Sequence, residues 1–232
     1  MPQTVPVTDY LPHAPGTPDA QPADIVREYG PFGDATAIHG VTHDGRRVWA
    51  STGARLVGFD PASGDAADSL AVRCDAGTAF DGKNFWQIAG ARIQQIEPAS
   101  GRVLASIPTP SPEGRNSGLT WAEGSLWVGD YQGRRIHRID PATGEVQRTI
   151  ESNRFVTGVT WVDGALWHGT WEGEESELRR VDAADGRVME RLQMPAGTGV
   201  SGLESDGAGL FYCGGGGSGR VRAVRRPKAV AA

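Results

Sequence analysis

The sequence predicts an all-β protein: a five-bladed β-propeller closed by an N-terminal strand that completes the last blade. Three observations lead there. A motif that starts at glycine recurs five times, at Gly40, Gly77, Gly118, Gly158 and Gly202. The steps between copies, 37, 41, 40 and 44 residues, have the period of a repeat architecture, in which each unit buries a face against the next. Each copy also divides into short alternating stretches separated by turn residues, and four antiparallel strands per unit make a propeller blade.

The elements follow in order within each copy. The first strand is glycine, an apolar residue and a small polar one, as in GVTH at Gly40 and GLTW at Gly118. A D-G or E-G pair follows, a turn that tolerates positive φ. The second strand carries an apolar-aromatic pair: Val48-Trp49, Phe85-Trp86, Leu126-Trp127, Leu166-Trp167 and Leu210-Phe211. These aromatics form the expected core between blades. The third strand alternates, as in ARIQQIEP and RRIHRIDP, and ends in PASG, PATG or AADG. Proline suits the second position of such a turn, and glycine its left-handed end. The fourth strand is DAADSLAV, RVLASI, EVQRTI or RVMERL. The fifth copy lacks a fourth strand. DIVREYG, Asp24–Gly30, supplies it and hides a sheet edge that would otherwise stay open; the alternative for Ala23–Tyr29 is a short helix. The organisation is therefore a disordered or extended arm over residues 1–22, one propeller domain over 23–227 and a flexible tail over 228–232.

Composition narrows the function. The chain has 232 residues, 38% hydrophobic, with a net charge of −5, so one soluble unit with a real core, or two small ones, is expected. No broad basic patch suits a phosphate backbone, and nucleic acid is not an expected partner. The basic run from Arg220 to Lys228 reads as a solvated strand edge. No apolar run reaches membrane-spanning length, so no membrane is expected. The start, with six prolines up to Pro22 and no basic or apolar leader region, does not resemble a signal peptide. A cytoplasmic location follows, with Cys74 and Cys213 as free thiols.

Strand direction puts the D-G and P-A-S-G turns on one face of the disc. The variable loops share the other, where function concentrates. Residues that depart from their repeat column are then the candidates. Before the innermost glycine stand His39, Ala76, Ser117, Thr157 and Ser201, and His39 is the odd member. Two residues past that glycine stand Thr42, Ala79, Thr120, Thr160 and Glu204, and Glu204 is odd. After the aromatic column come Ala50, Gln87, Val128, His168 and Tyr212. Asp130, Tyr131, Trp171 and Glu172 leave the second strands, and Arg73, Arg115, Asn116 and Arg154 precede the first ones. The expected site is a mouth where these residues converge. His39 and Glu172, with His168 and Glu204, are the acid–base candidates. Asn116, Asp130, Tyr131, Arg154, Trp171, Gln87 and Tyr212 are the substrate-binding candidates, Arg154 for a carboxylate and Trp171 with Tyr131 for a planar or apolar part. Each has a plain structural alternative: Glu204 bonding a neighbouring threonine, His168 a satisfied histidine between blades.

No metal or other cofactor is expected. His39 and His43 lie roughly 13 Å apart on a strand, too far to share zinc. The D-P-A-S-G turns lack the carboxylates of a calcium loop. CGGGGSG, Cys213–Gly219, precedes a strand and not a helix, so it reads as a flexible loop, a lid over the mouth, and not a phosphate cradle.

The blade rhythm, the five-fold count, ASTG at Ala50–Gly53 and SELRRVD at Ser176–Asp182 resemble the glutamine cyclotransferases. That resemblance implies a five-bladed propeller enzyme, of transferase type, that cyclises N-terminal glutamine. Where that family tends to carry Phe-Thr-Gln-Gly before the first blade, this chain reads Ala37, Ile38, His39, Gly40, and Ala50 stands where the family tends to have glutamate. The blade grammar is more distantly similar to the streptogramin lyases, which implies a metal-assisted lyase as a further alternative. The expected function is an enzyme acting on a small molecule or peptide, by acid–base chemistry at the channel mouth. A propeller that binds a ligand or protein without catalysis is the alternative.

Overall fold

The computed structural model describes residues 15–111 and 114–228. Among them there is no helix, hence none long and apolar enough to cross a membrane. The strands form five sheets, one per blade. From the channel outward, blade 1 is Gly40–His43, Val48–Ser51, Leu56–Phe59 and Ala66–Leu70. Blade 2 is Thr78–Phe80, Phe85–Ala89, Arg92–Ile96 and Val103–Pro108. Blade 3 is Asn116–Ala122, Ser125–Asp130, Arg135–Ile139 and Val146–Glu151. Blade 4 is Val156–Val162, Ala165–Glu172, Glu175–Val181 and Val188–Gln193. Blade 5 is Gly202–Ser205, Leu210–Gly214, Val221–Arg225 and then Ile25–Tyr29.

The closing strand is where the sequence puts it, and it is not a helix. Ile25 faces Val224 and Tyr29 faces Val221 in antiparallel register. Arg222 and Arg225 donate to Glu28 and Asp24 at 2.6 and 2.8 Å. The same strand grips blade 1. Arg27 donates to the carbonyls of Ala62 and Ser63 at 2.6 and 2.7 Å, and the Tyr29 hydroxyl donates to that of Pro61 at 2.9 Å. The basic run is therefore not a solvated edge: Val221–Arg225 is an interior strand and its arginines are paired. Of the expected arm, residues 1–14 lie outside the described residues, as do 229–232 of the expected tail. Gln21–Pro22 adds to the rim of blade 4, parallel to Leu192 and Gln193.

Turn chemistry explains why the sequence repeats. Asp60 Oδ1 accepts the Ala62 N–H at 2.6 Å, and Gly64 closes that turn at φ 90°. In blades 1 and 2 the aspartate of the D-G pair folds its own turn and holds the tryptophan. Asp44 and Asp81 accept the Trp49 and Trp86 indole N–H at 2.6 and 2.8 Å. Blades 3 and 4 use tighter turns. Glu123 and Asp163 sit at φ 50° and 52°, each followed by a positive-φ glycine, the type I′ pattern. Trp127 Nε1 is left buried with no partner among the described residues.

Aromatic pairs seal every interface. Trp49 meets Phe85, Trp86 stacks on Trp121, Trp127 on Trp161, and Trp167 meets Phe211, with ring centroids 4.9–6.0 Å apart. His43 and Tyr212 close the circle between blades 5 and 1 at 6.3 Å. Each such pair contributes about 1 kcal/mol beyond its buried area.

At the centre the five motif glycines are required. A Cβ at Gly118 would lie 2.5–2.7 Å from the backbone of Thr157, Gly158 and Val159 in blade 4. Gly40, Gly77, Gly158 and Gly202 each abut the backbone of the next blade in the same way, and Gly202 meets Gly40 to complete the circuit. The innermost strands thus touch backbone to backbone around the axis. In blades 3 and 4 they also bulge there, between Asn116 and Leu119 and between Val156 and Val159.

Candidate functional site

Above the glycine ring a cavity of about 510 Å³ opens on the variable-loop face. His39, Ala76, Ser117, Thr157 and Ser201, one from each blade, form its floor. Its walls include Asp75, Arg115, Asn116, Tyr131, Gln132, Trp171 and Val200. All five blades contribute, as the column argument expects.

The floor is built by inter-blade bonds. Ser117 Oγ donates to Val156 O at 2.7 Å, and Ser201 Oγ donates to Ile38 O at 2.5 Å. In each case the residue before a motif glycine reaches the residue two before the next one. His39 holds that position in blade 1, and its imidazole has no hydrogen-bond partner among the described residues. It stands over Gly53, where an added Cβ would lie 3.6 Å from Nε2.

Trp171 makes the opposite wall. Added Cβ atoms at Gly199 and Gly216 would lie 2.8 Å from its ring, so both loops must be glycine where they pass the indole. The Tyr131 hydroxyl donates to Trp171 O at 3.3 Å, which ties two walls together. Burial, and Glu172 next, push the Tyr131 phenol up. Gly216 is pinned: its N–H donates to Ser201 Oγ at 2.9 Å and its carbonyl accepts from Ile38 N at 2.9 Å. The CGGGGSG segment, expected as a flexible lid, is hydrogen-bonded at Gly216 and packs against the Trp171 ring, and none of its residues lines the cavity.

Apart from Asn116, the remaining predicted residues do not line the cavity. Asn116 does line it, but its amide is engaged with Ser111, donating to O at 2.5 Å and accepting from N at 3.2 Å. Asp130 is buried, accepting from Ser111 Oγ at 2.7 Å and Gly133 N at 2.9 Å. Arg154 is 3% exposed and pairs with Glu172 at 3.6 Å. Glu172 also accepts the Phe155 N–H at 2.7 Å. These two brace the loop that carries Trp171. His168 is 1% exposed and lies opposite Arg179 in the sheet. Burial, then the Arg179 charge, lower its pKa to about 4. It is a neutral histidine packed in the blade, as the structural alternative had it. Gln87 is fully buried, its amide N–H₂ donating to Gly77 O at 3.1 Å and Ile88 O at 2.9 Å. Tyr212 is buried against Tyr29 and His43. Cys213 is buried and its thiol is pushed up to about 12, so no thiolate is available there.

Glu204 lies below the glycine ring. Thr160 Oγ1 donates to it at 2.6 Å, Ser205 N at 2.9 Å and Thr42 Oγ1 at 3.1 Å, bridging blades 4, 5 and 1. Desolvation outweighs these three donors and raises its carboxyl to about 7. It is a strut across the axis, separated from the cavity by backbone.

Sequence reasoning missed Asp75. It lines the cavity and accepts from Arg73 Nε at 2.7 Å and Gly90 N at 2.8 Å, both on Oδ2. The column two before the motif glycine reads Ile38, Asp75, Asn116, Val156 and Val200, and inspection of that column would have found it. Among the described residues no group of three or more His, Cys, Asp or Glu is placed to hold a metal ion.

No protein-family profile matches the chain, and no curated protein matches it. Solved structures do. Glutaminyl cyclase from Myxococcus xanthus superposes with a TM-score of 0.73 at 16% identity, covering 90% of this chain and 97% of that one. A catalytically inactive virginiamycin B lyase from Staphylococcus aureus with quinupristin gives 0.51 at 15% identity, covering 84% and 68%. The β-propeller domain of Myceliophteria thermophila Cps50 (Swd1) gives 0.55 at 11%, covering 89% and 100%. At such identities the likeness establishes the fold, a five-bladed β-propeller, and not the activity.

Proposed function

We propose that the chain is an enzyme that processes a small molecule or peptide end by acid–base chemistry at the mouth cavity, with His39 as the proton-transferring group. One observation carries this reading. His39 is the ionisable member of a floor otherwise made of small residues, and its imidazole has no hydrogen-bond partner among the described residues; the Thr157 hydroxyl is likewise unpartnered, whereas Ser117, Ser201, Asn116 and Asp75 Oδ2 are engaged. An imidazole with no competing hydrogen bond can both accept and donate a proton. The volume suits a small ligand. Trp171 and Tyr131 give it a planar wall. The fold shared with a glutaminyl cyclase makes amides and N-terminal glutaminyl peptides the first substrates to test, and the fold shared with a lyase makes cyclic depsipeptides the second.

A non-catalytic ligand-binding propeller is favoured by a different observation: Arg154, Glu172 and Asp130, the charged partners a catalyst would use, are tied to one another or to backbone. Turnover of both substrate classes by wild type and His39→Ala decides. The enzyme reading expects a loss of about 100-fold or more in kcat/KM with an unchanged melting temperature. Consumption of none of the panel by wild type, with a ligand still bound in the cavity, establishes the binding reading.

A further inference from the structure

We propose that Asp75 is the positioning residue of His39, accepting a hydrogen bond from one imidazole nitrogen through its free Oδ1 and so presenting the other nitrogen to the cavity. The inference rests on the role given to His39 above and adds a second residue to it.

Three features converge. The first is the repeat itself. Ser117 reaches the backbone carbonyl of Val156 and Ser201 that of Ile38, each time from the position before a motif glycine to the position two before the next, while the Thr157 hydroxyl makes no such bond. The same step taken from His39 ends at Asp75, and both residues line the cavity. The second is the local backbone. His39 Nε2 stands over Gly53, and Gly53 O accepts from Cys74 N at 2.9 Å, the residue next to Asp75. The third is the state of the carboxylate. Arg73 Nε and Gly90 N both bond Oδ2. They hold the group in one orientation, and Oδ1 has no partner among the described residues. A carboxylate fixed at one oxygen and open at the other is the arrangement that selects a tautomer in a neighbouring imidazole and stabilises its protonated form. The other charges at this end of the cavity are Arg73, which is ion-paired with Asp75, and Arg115, which pairs with Asp130 at 3.8 Å.

The test is an NMR titration of the His39 ring protons in the full chain without ligand, the resonance identified by its loss in His39→Gln. Asp75→Asn keeps the shape and removes the charge. It is expected to lower the His39 midpoint, a threefold to tenfold drop in proton affinity on the order of a partly neutralised carboxylate. Arg73→Ala, at an exposed side chain, keeps the carboxylate and removes its competing cation, and is expected to raise the midpoint. An unmoved midpoint in a folded Asp75→Asn overturns the proposal. If that variant does not fold, an unmoved midpoint in Arg73→Ala overturns it instead. No substrate enters the titration, so a null result removes Asp75's role and leaves that of His39 in turnover standing. A moved midpoint with no turnover of any substrate leaves the pair standing and removes the enzyme reading.

Discussion

Glu204→Gln should stabilise this protein, and more so as pH rises. The carboxyl is raised to about 7 from an ordinary 4.5. Below pH 4.5 the folded and unfolded chains both hold the proton, and Glu204 imposes nothing. Between 4.5 and 7 the folded chain keeps a proton that the unfolded chain releases, so stability falls by about 1.4 kcal/mol per pH unit. Above 7 the loss is complete, about 3 kcal/mol at most. Because Glu204 is only half-buried, channel water screens part of it and about 2 kcal/mol is the working figure. The glutamine amide has the same shape. Its oxygen accepts from Thr160 and Ser205, and its N–H₂ donates to a rotated Thr42 hydroxyl. The variant-minus-wild-type difference should therefore be near zero at pH 4.5 and about 2 kcal/mol at pH 8, or roughly 4–8 °C in melting temperature. Urea unfolding followed by tryptophan fluorescence at pH 4.5, 6 and 8 measures it. His168 supplies an internal control of opposite sign. Its pKa is lowered from 6.5 to about 4, so the stability it permits is intact above 6.5 and lost as pH falls to 4. In wild type the two slopes oppose each other between 4.5 and 6.5, and removing Glu204 should expose the rise with pH due to His168. A difference that does not change with pH, or a variant less stable at pH 8, refutes this account.

Two further outcomes follow from the ring and its aromatics. Gly118→Ala places a Cβ about 2.5 Å from blade 4 backbone, which no side-chain movement relieves, so it should destabilise by about 3 kcal/mol or prevent soluble expression; wild-type denaturant midpoints would contradict the packing described. Trp86→Phe leaves Asp81 Oδ2 with only the long 3.5 Å bond from Gln95 Nε2, while Trp127→Phe removes an unpaired donor, so the first should be the more damaging by about 1 kcal/mol in chemical denaturation.

The fold was legible because its cause is local and repeated five times. The turn pairs, the aromatic column and the motif glycines each state one blade, and the missing fourth strand of the last copy pointed to Ile25–Tyr29. The site was legible only in part. His39, Asn116, Tyr131 and Trp171 lie at the cavity, since departures from a column mark positions freed from packing. The same signal also marked Glu204, Gln87 and His168, where the departure serves the interior. Which face of a strand a residue takes at a bulge, as beside Asn116 and Val156, is not readable from alternation, because one extra residue reverses it. Sequence alone assigns Glu172 an acid–base role and Arg154 a carboxylate contact, and only in three dimensions do the two find each other.

The five glycines that abut around the axis also make the disc a cul-de-sac. Whatever docks beside His39 must back out past Trp171 by the way it arrived, with no rear door through Glu204. Incoming and outgoing molecules then share one doorway, so under the enzyme reading proposed above a reaction product at high concentration should compete with substrate.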